Sequence, residues 1–285
     1  DLHYPLRRQR QMCIRDSTGG LRSETDAHHV MERVLGRSLS DMDAKIARTL
    51  QRVYEGPTGT SYLRQLEPDI LGEAIVQRLL TAAVPDRLPA GWITRVIPAD
   101  APPDAVRHTF EVLGRLSSTC TFAIREAIEV AFPARLLEAL AAARTVGGAT
   151  AVTMLGEACA DVLESRGTLE LAIQLVDGKV VSDAGALLRV QEWMYRTLLA
   201  NLELAKRNRE PAARWFNDHA VILWALGKHQ QALREARQSV WLWKDLAAED
   251  GARYRGRVPG ALSNLANWQG ESGQIGEAIG LAQEA

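Results

Sequence analysis

Apolar residues recur at intervals of three and four along most of the chain. Val106, Phe110 and Leu113 make one stripe, Ile124, Ile128 and Ala131 the next, and Leu136, Leu137 and Leu140 a third. Val152, Leu155, Cys159 and Val162 continue the pattern after Gly147-Gly148. This spacing places side chains on one face of a helix with about 3.6 residues per turn. After a turn from Gly178 to Asp183, the pattern predicts helices at 184–206, 211–226, 229–248, 259–272 and 275–285. Upstream, helices are expected at 24–36 and 40–54. The second has Ser40-Asp41 as N-cap and Ile46, Leu50 and Val53 on one face. Gly56-Pro57-Thr58-Gly59 breaks the pattern, and Tyr62 to Leu66 could form a short strand such as a wing. Pro68 and Asp69 start another helix through about Thr81, with Pro in a tolerated first-turn position. Five prolines make 84–103 an irregular connector. Alternating antiparallel helices with short breaks predict an all-α protein of α-solenoid type.

Near the end the pattern repeats in its residues as well as its period. Gly227-Lys228-His229-Gln230-Gln231-Ala232-Leu233 is echoed by Gly273-Gln274-Ile275-Gly276-Glu277-Ala278-Ile279, 46 residues later. Ala220 and Ala236 recur as Ala266 and Ala282 at the same offset. A small residue near a turn glycine, then Ala-Leu or Ala-Ile in the second helix, resembles the tetratricopeptide pattern. Gly227 and Gly273 would end first helices in a left-handed conformation. Ala232 and Ala278 would allow paired helices to pack closely. The usual period is about 34 residues, so the offset here implies an insertion of about 12. It fits a lengthened second helix and loop from Trp243 to Arg255.

With Ala261-Leu262-Ser263-Asn264-Leu265-Ala266-Asn267, the segment looks like the long tetratricopeptide repeats of bacterial STAND proteins, multidomain signal-transduction ATPases. Leu66-Glu67-Pro68-Asp69-Ile70-Leu71-Gly72-Glu73 resembles the winged-helix region after the nucleotide-binding core of that family. Phe110 to Arg115 and the Ala-rich helices beyond it are similar to the family's helical arm. The resemblance implies a winged-helix remnant and connector at 21–95, a helical arm at 96–205, and repeats at 206–285 with the second incomplete. It also implies that Asn264 faces a concave binding surface. Asn267 and Asp218, which stands 46 residues before Asn264, complete the candidate peptide-binding set, although Asp218 departs from the family's Asn. An amide both donates and accepts, which suits a peptide backbone. The alternative is a helix-surface Asn with no ligand.

A phosphate-cradling loop needs Gly-x4-Gly-Lys-Ser/Thr. Gly178-Lys179 is followed by Val180 and Gly227-Lys228 by His229, so neither is one. The resemblance therefore implies the part downstream of an ATPase, with a nucleotide-binding domain upstream in the parent protein and no cofactor in this chain. A free-standing tetratricopeptide scaffold and the sensor end of a transcriptional regulator are the alternatives.

Composition narrows the classes further. The 285 residues suggest two or three units. Net charge is −1, and the 29 Arg against 5 Lys form no broad basic face of the kind nucleic acid requires. Met12-Cys13-Ile14-Arg15-Asp16-Ser17 is the translation of a transposon end used in sequencing libraries. Residues 1–20 are thus expected to be an artefact or disordered, the alternative being a native basic tail. No apolar run approaches the roughly 18 residues of a membrane span. Cys13, Cys120 and Cys159 form no paired framework and read as reduced thiols of a cytoplasmic protein. The six His residues lack metal-ligand spacing, and no nucleophile elbow appears, so no enzymatic activity is expected. Five of seven Trp lie between residues 215 and 268, either lining an aromatic groove or filling the core between helices. Trp241 and Trp243 stand about 200° apart on one helix and cannot both face inward. Arg253, Arg255 and Arg257 read as a solvated loop. The expected function is binding of a protein or peptide.

Overall fold

The computed structural model describes residues 101–115, 121–147, 153–178 and 185–285, with scattered positions between 23 and 97. The expected artefact at 1–20, the expected strand at 62–66, the Pro-Asp-Ile-Leu-Gly-Glu match and most of the expected winged-helix remnant at 21–95 lie outside the described residues. Among the described residues every regular element is helical. No helix of these is long and apolar enough to cross a membrane. The chain divides into two compact units. One contains the residues up to Val162 and Gly185–Leu187; the other contains Leu163–Ala184 and Leu188–Ala285.

In the first unit, α1 (Pro103–Arg115) begins with Pro and an acidic Asp104, both suited to a helix start. Its stripe Val106, Phe110 and Leu113 is buried, and α1 packs on α3 (Leu136–Gly147). α2 (Thr121–Ala131) buries Ala123, Ile124, Ala127 and Ile128. On α3 the stripe differs from the sequence reading. Leu136 and Leu140 are buried, but Leu137 is 51% exposed. One residue is about 100° of helix rotation, and Ala139 and Ala143 occupy the inward arc instead. α4 (Met154–Arg166) starts in this unit and buries Leu155, Cys159 and Val162. Burial alone pushes the Cys159 thiol far up, so it stays a neutral core residue. Gly156 has a packing reason. A Cβ there would lie 2.1 Å from the carbonyl oxygen of Ala186.

In the second unit, α5 (Leu169–Asp177) is capped by Thr168, whose hydroxyl accepts from the Leu171 amide at 3.3 Å. The helix expected at 184–206 is interrupted. A 3-10 turn at Gly185–Leu187, which is grouped with the first unit, precedes α6 (Leu188–Ala200) in the chain. Asn201 then leaves helical geometry and caps α7 (Leu202–Arg207), accepting from the Leu204 amide at 2.9 Å. An Asn that can bond backbone amides competes with helix continuation.

α8 (Arg209–Ala225), α9 (His229–Glu249), α10 (Val258–Glu271) and α11 (Ile275–Glu284) follow. Each packs on the one before, and α6 packs on α8. The α8–α9 and α10–α11 hairpins turn by the same device. Gly227 has φ 73° and Gly273 φ 81°. The Gly227 amide donates to Trp224 O at 2.9 Å and the Lys228 amide to Leu223 O at 2.8 Å. Forty-six residues on, Gly273 donates to Gly270 O at 3.0 Å and Gln274 to Gln269 O at 2.8 Å. This is the Schellman pattern, which satisfies the last carbonyls of a helix and requires a left-handed residue. The Trp243–Arg255 stretch, expected as longer helix and loop, is helical nearly throughout. α9 runs to Glu249, Gly251–Tyr254 makes a helical turn capped by Asp250, and Arg255–Arg257 a 3-10 turn.

Candidate functional site

The second unit carries an open groove of about 380 Å³. α8 supplies Arg214, Asn217 and Asp218, at spacings of three and four that bring them to one helix face. α10 supplies Gly260, Ala261 and Asn264, and the preceding turn Gly256 and Arg257. Trp243 of α9 reaches the lining but is only 4% exposed. Its indole packs 6.1 Å from the Tyr254 ring, which fixes the connector against α9.

A line of hydrogen bonds crosses this groove. Asn264 Nδ2 donates to Asn217 Oδ1 at 2.9 Å. Asn217 Nδ2 donates to Asp218 Oδ1 at 3.3 Å, and Tyr195 OH of α6 donates to Asp218 Oδ2 at 3.4 Å. Two helices of different hairpins are thereby joined through side-chain amides. Asn264 uses one donor here and retains its carbonyl oxygen for another partner. Arg257 has no ion pair among the described residues and is a cation available to the groove.

Beside the groove, Glu210 is a hub. It is bonded by Arg214, by Arg253 Nη2 at 2.8 Å and by Tyr254 OH at 3.1 Å. Burial works against its ionised form. The Tyr254 hydrogen bond and the charges of Arg214 and Arg253 outweigh it and hold the carboxyl below its ordinary range. Burial and the same hydrogen bond push the Tyr254 phenol up. Arg253 also lies over the Tyr254 ring, 4.9 Å from its centroid. The connector is thus strapped to the start of α8, and this strap places Gly256 and Arg257 at the groove. Arg209 braces the same end through Asp245 and through both Glu249 oxygens at 2.7 and 2.9 Å.

Of the three candidate peptide-binding residues, Asp218 and Asn264 come together here. Asn267 does not; it is exposed on α10 and lies outside the lining. Asn264 bonds Asn217, one residue before the position that the 46-residue register pairs with it. Asn217, Arg214 and Arg257 were missed by sequence reasoning. The i, i+3, i+4 spacing of Arg214, Asn217 and Asp218 was the available signal. Arg253, Arg255 and Arg257 are all exposed, as a solvated segment would have them, although the segment is helical turns and Arg253 pairs with Glu210. Ala232 is fully buried, whereas its counterpart Ala278 is half-buried. Of the two tryptophans, Trp243 is buried and Trp241 is 61% exposed. Trp224 and Trp268 stack with centroids 5.8 Å apart, and His229 stacks on Trp224 at 4.2 Å, as packing between hairpins. Among the described residues, no group of three or more His, Cys, Asp or Glu is placed to hold a metal. Comparison with protein-family models, curated proteins and solved structures finds no match.

Proposed function

We propose that this chain is a protein- or peptide-binding module of tetratricopeptide-like hairpins in an α-solenoid, and that it acts in the cytoplasm as the interaction end of a STAND-type signalling ATPase. In this reading the nucleotide chemistry belongs to an upstream domain, and the chain itself recognises rather than catalyses. The observation that supports it is the groove, where Asn217 and Asn264 from separate hairpins meet and Arg257 also contributes to the lining. Side-chain amides can pair with both groups of an extended peptide backbone. Arg257, which has no ion pair among the described residues, favours a ligand that brings a carboxylate.

The test is to pan a displayed peptide library on the full chain and titrate an enriched peptide calorimetrically. Asn264→Ala and Arg257→Ala should each weaken binding at least about tenfold, about 1.4 kcal/mol. Peptides that bind both variants as well as the parent chain would place recognition elsewhere and defeat the reading.

A further inference from the structure

The face of α8 that lines the groove continues past the asparagine pair. Val221 follows Asn217 and Asp218 at spacings of four and three, so it stands on the same face one turn further on. Val221 is 44% exposed, and Ala225, one more turn along, is exposed as well. On α10, Trp268 is four residues beyond Asn264. Trp224 and Trp268 are half-buried and stack with centroids 5.8 Å apart. The two hairpins are thus joined first by Asn217 with Asn264 and then, further along both helices, by Trp224 with Trp268. A polar stretch gives way to an apolar one along the same two walls. Neither wall is the last helix: α8 is packed by α9, and α10 by α11.

We infer that Val221, with the exposed parts of Trp224 and Trp268, forms a second subsite of the groove, and that it takes a bulky apolar side chain of the bound peptide. This inference rests on the peptide-binding reading of the groove. The ligand is then an extended segment of a partner protein with a carboxylate at Arg257 and an apolar residue against Val221 and the tryptophan pair. Geometry sets the spacing. Arg257 and Trp268 are eleven residues apart, about 16 Å at the helical rise. An extended chain advances about 3.3 Å per residue and turns every second side chain to the same side. The two side chains that enter the groove therefore stand about four or six positions apart. The backbone between them passes Asn264, whose side-chain carbonyl accepts from one of its amides.

The probes are peptides enriched by panning on the full chain. They should share a Glu or Asp with a Leu, Ile, Phe or Trp about four or six positions away. For one such peptide, labelled and titrated by anisotropy, Ser in place of the apolar residue should weaken binding at least about fivefold. Against Val221→Asp the same replacement should change affinity less than about twofold, the coupling expected of groups in contact. Gln in place of the peptide's acidic residue should still weaken binding to that variant as it does to the parent chain. Val221→Ser repeats the comparison should the Asp variant lose helical circular dichroism. Trp241→Ser, which removes an exposed apolar side chain outside the groove lining, should leave both responses as they were. Enriched peptides without the apolar position, or an apolar dependence that survives both Val221 variants, overturn the subsite while the groove reading stands. Peptides indifferent to Arg257→Ala and Asn264→Ala, or no enrichment at all, defeat that reading and the subsite with it.

Discussion

Gly227 offers a clean test of how the hairpins are built, because its substitution is free of steric crowding. An added Cβ would meet nothing within 4 Å, so any loss must come from the backbone. The residue sits at φ 73°, where an L side chain costs roughly 1–2 kcal/mol. Gly227→Ala should therefore destabilise by about 1 kcal/mol. In a unit of this size that lowers Tm by about 4 °C. Asn tolerates the left-handed region and should cost less; Val, branched at Cβ, should cost more. The order Asn, Ala, Val is the signature of a backbone cause, measured by urea unfolding of the full chain. Gly273 has the same geometry, at φ 81° and with open space. Yet α11 has no buried residue, so it opens locally at low free energy. Gly273→Ala should then raise amide exchange within α11 and shift the global transition less. Equal global losses at both glycines, or Asn as costly as Val, would refute this reasoning.

Two further outcomes follow from packing and charge. Ala232→Leu should overpack the fully buried contact between α8 and α9 and cost roughly 1–3 kcal/mol in urea unfolding; Ala278→Leu, half-buried, should cost clearly less, and the reverse order would sink the account. Glu210 has a depressed pKa, so its contribution is present above the unfolded carboxylate value of about 4.3 and lost as pH falls through the lower folded value. Glu210→Gln should therefore lower Tm at pH 7 and flatten the loss between about pH 5 and 3, a difference that parallel Tm curves would disprove.

Much of the helical layout was legible because its causes are local. Glycine at a left-handed turn, small residues where helices meet, and apolar spacing near 3.6 are written in neighbouring residues. The 46-residue echo located Gly227 and Gly273, and their turns share a hydrogen-bond pattern. The incompatibility of Trp241 and Trp243 was also visible from helix rotation, though which one is buried was not. Asn201 escaped notice because its cap depends on one side-chain rotamer inside an otherwise helical stretch. Leu137 was assigned inward because three leucines in five residues look like a stripe, while the alanines that fill the inward arc carry a weaker signal.

The groove required tertiary structure. Asn217 and Asn264 are 47 residues apart, and only the packing of both α8 and α10 against α9 brings their amides to 2.9 Å. Register alone points to Asp218, because sequence offset counts residues and not the direction in which each side chain leaves its helix. The connector shows the same division. Its three arginines read as solvated charge and are exposed, but only the fold shows that Glu210, more than 40 residues earlier, bonds Arg253 and Tyr254 and that Arg257 lines the groove. Local sequence determined where helices start, turn and stop, since those choices rest on backbone geometry within a few residues. Which polar side chains meet was decided by packing between hairpins, because side-chain hydrogen bonds act over about 3 Å and require elements far apart in the chain to be placed first.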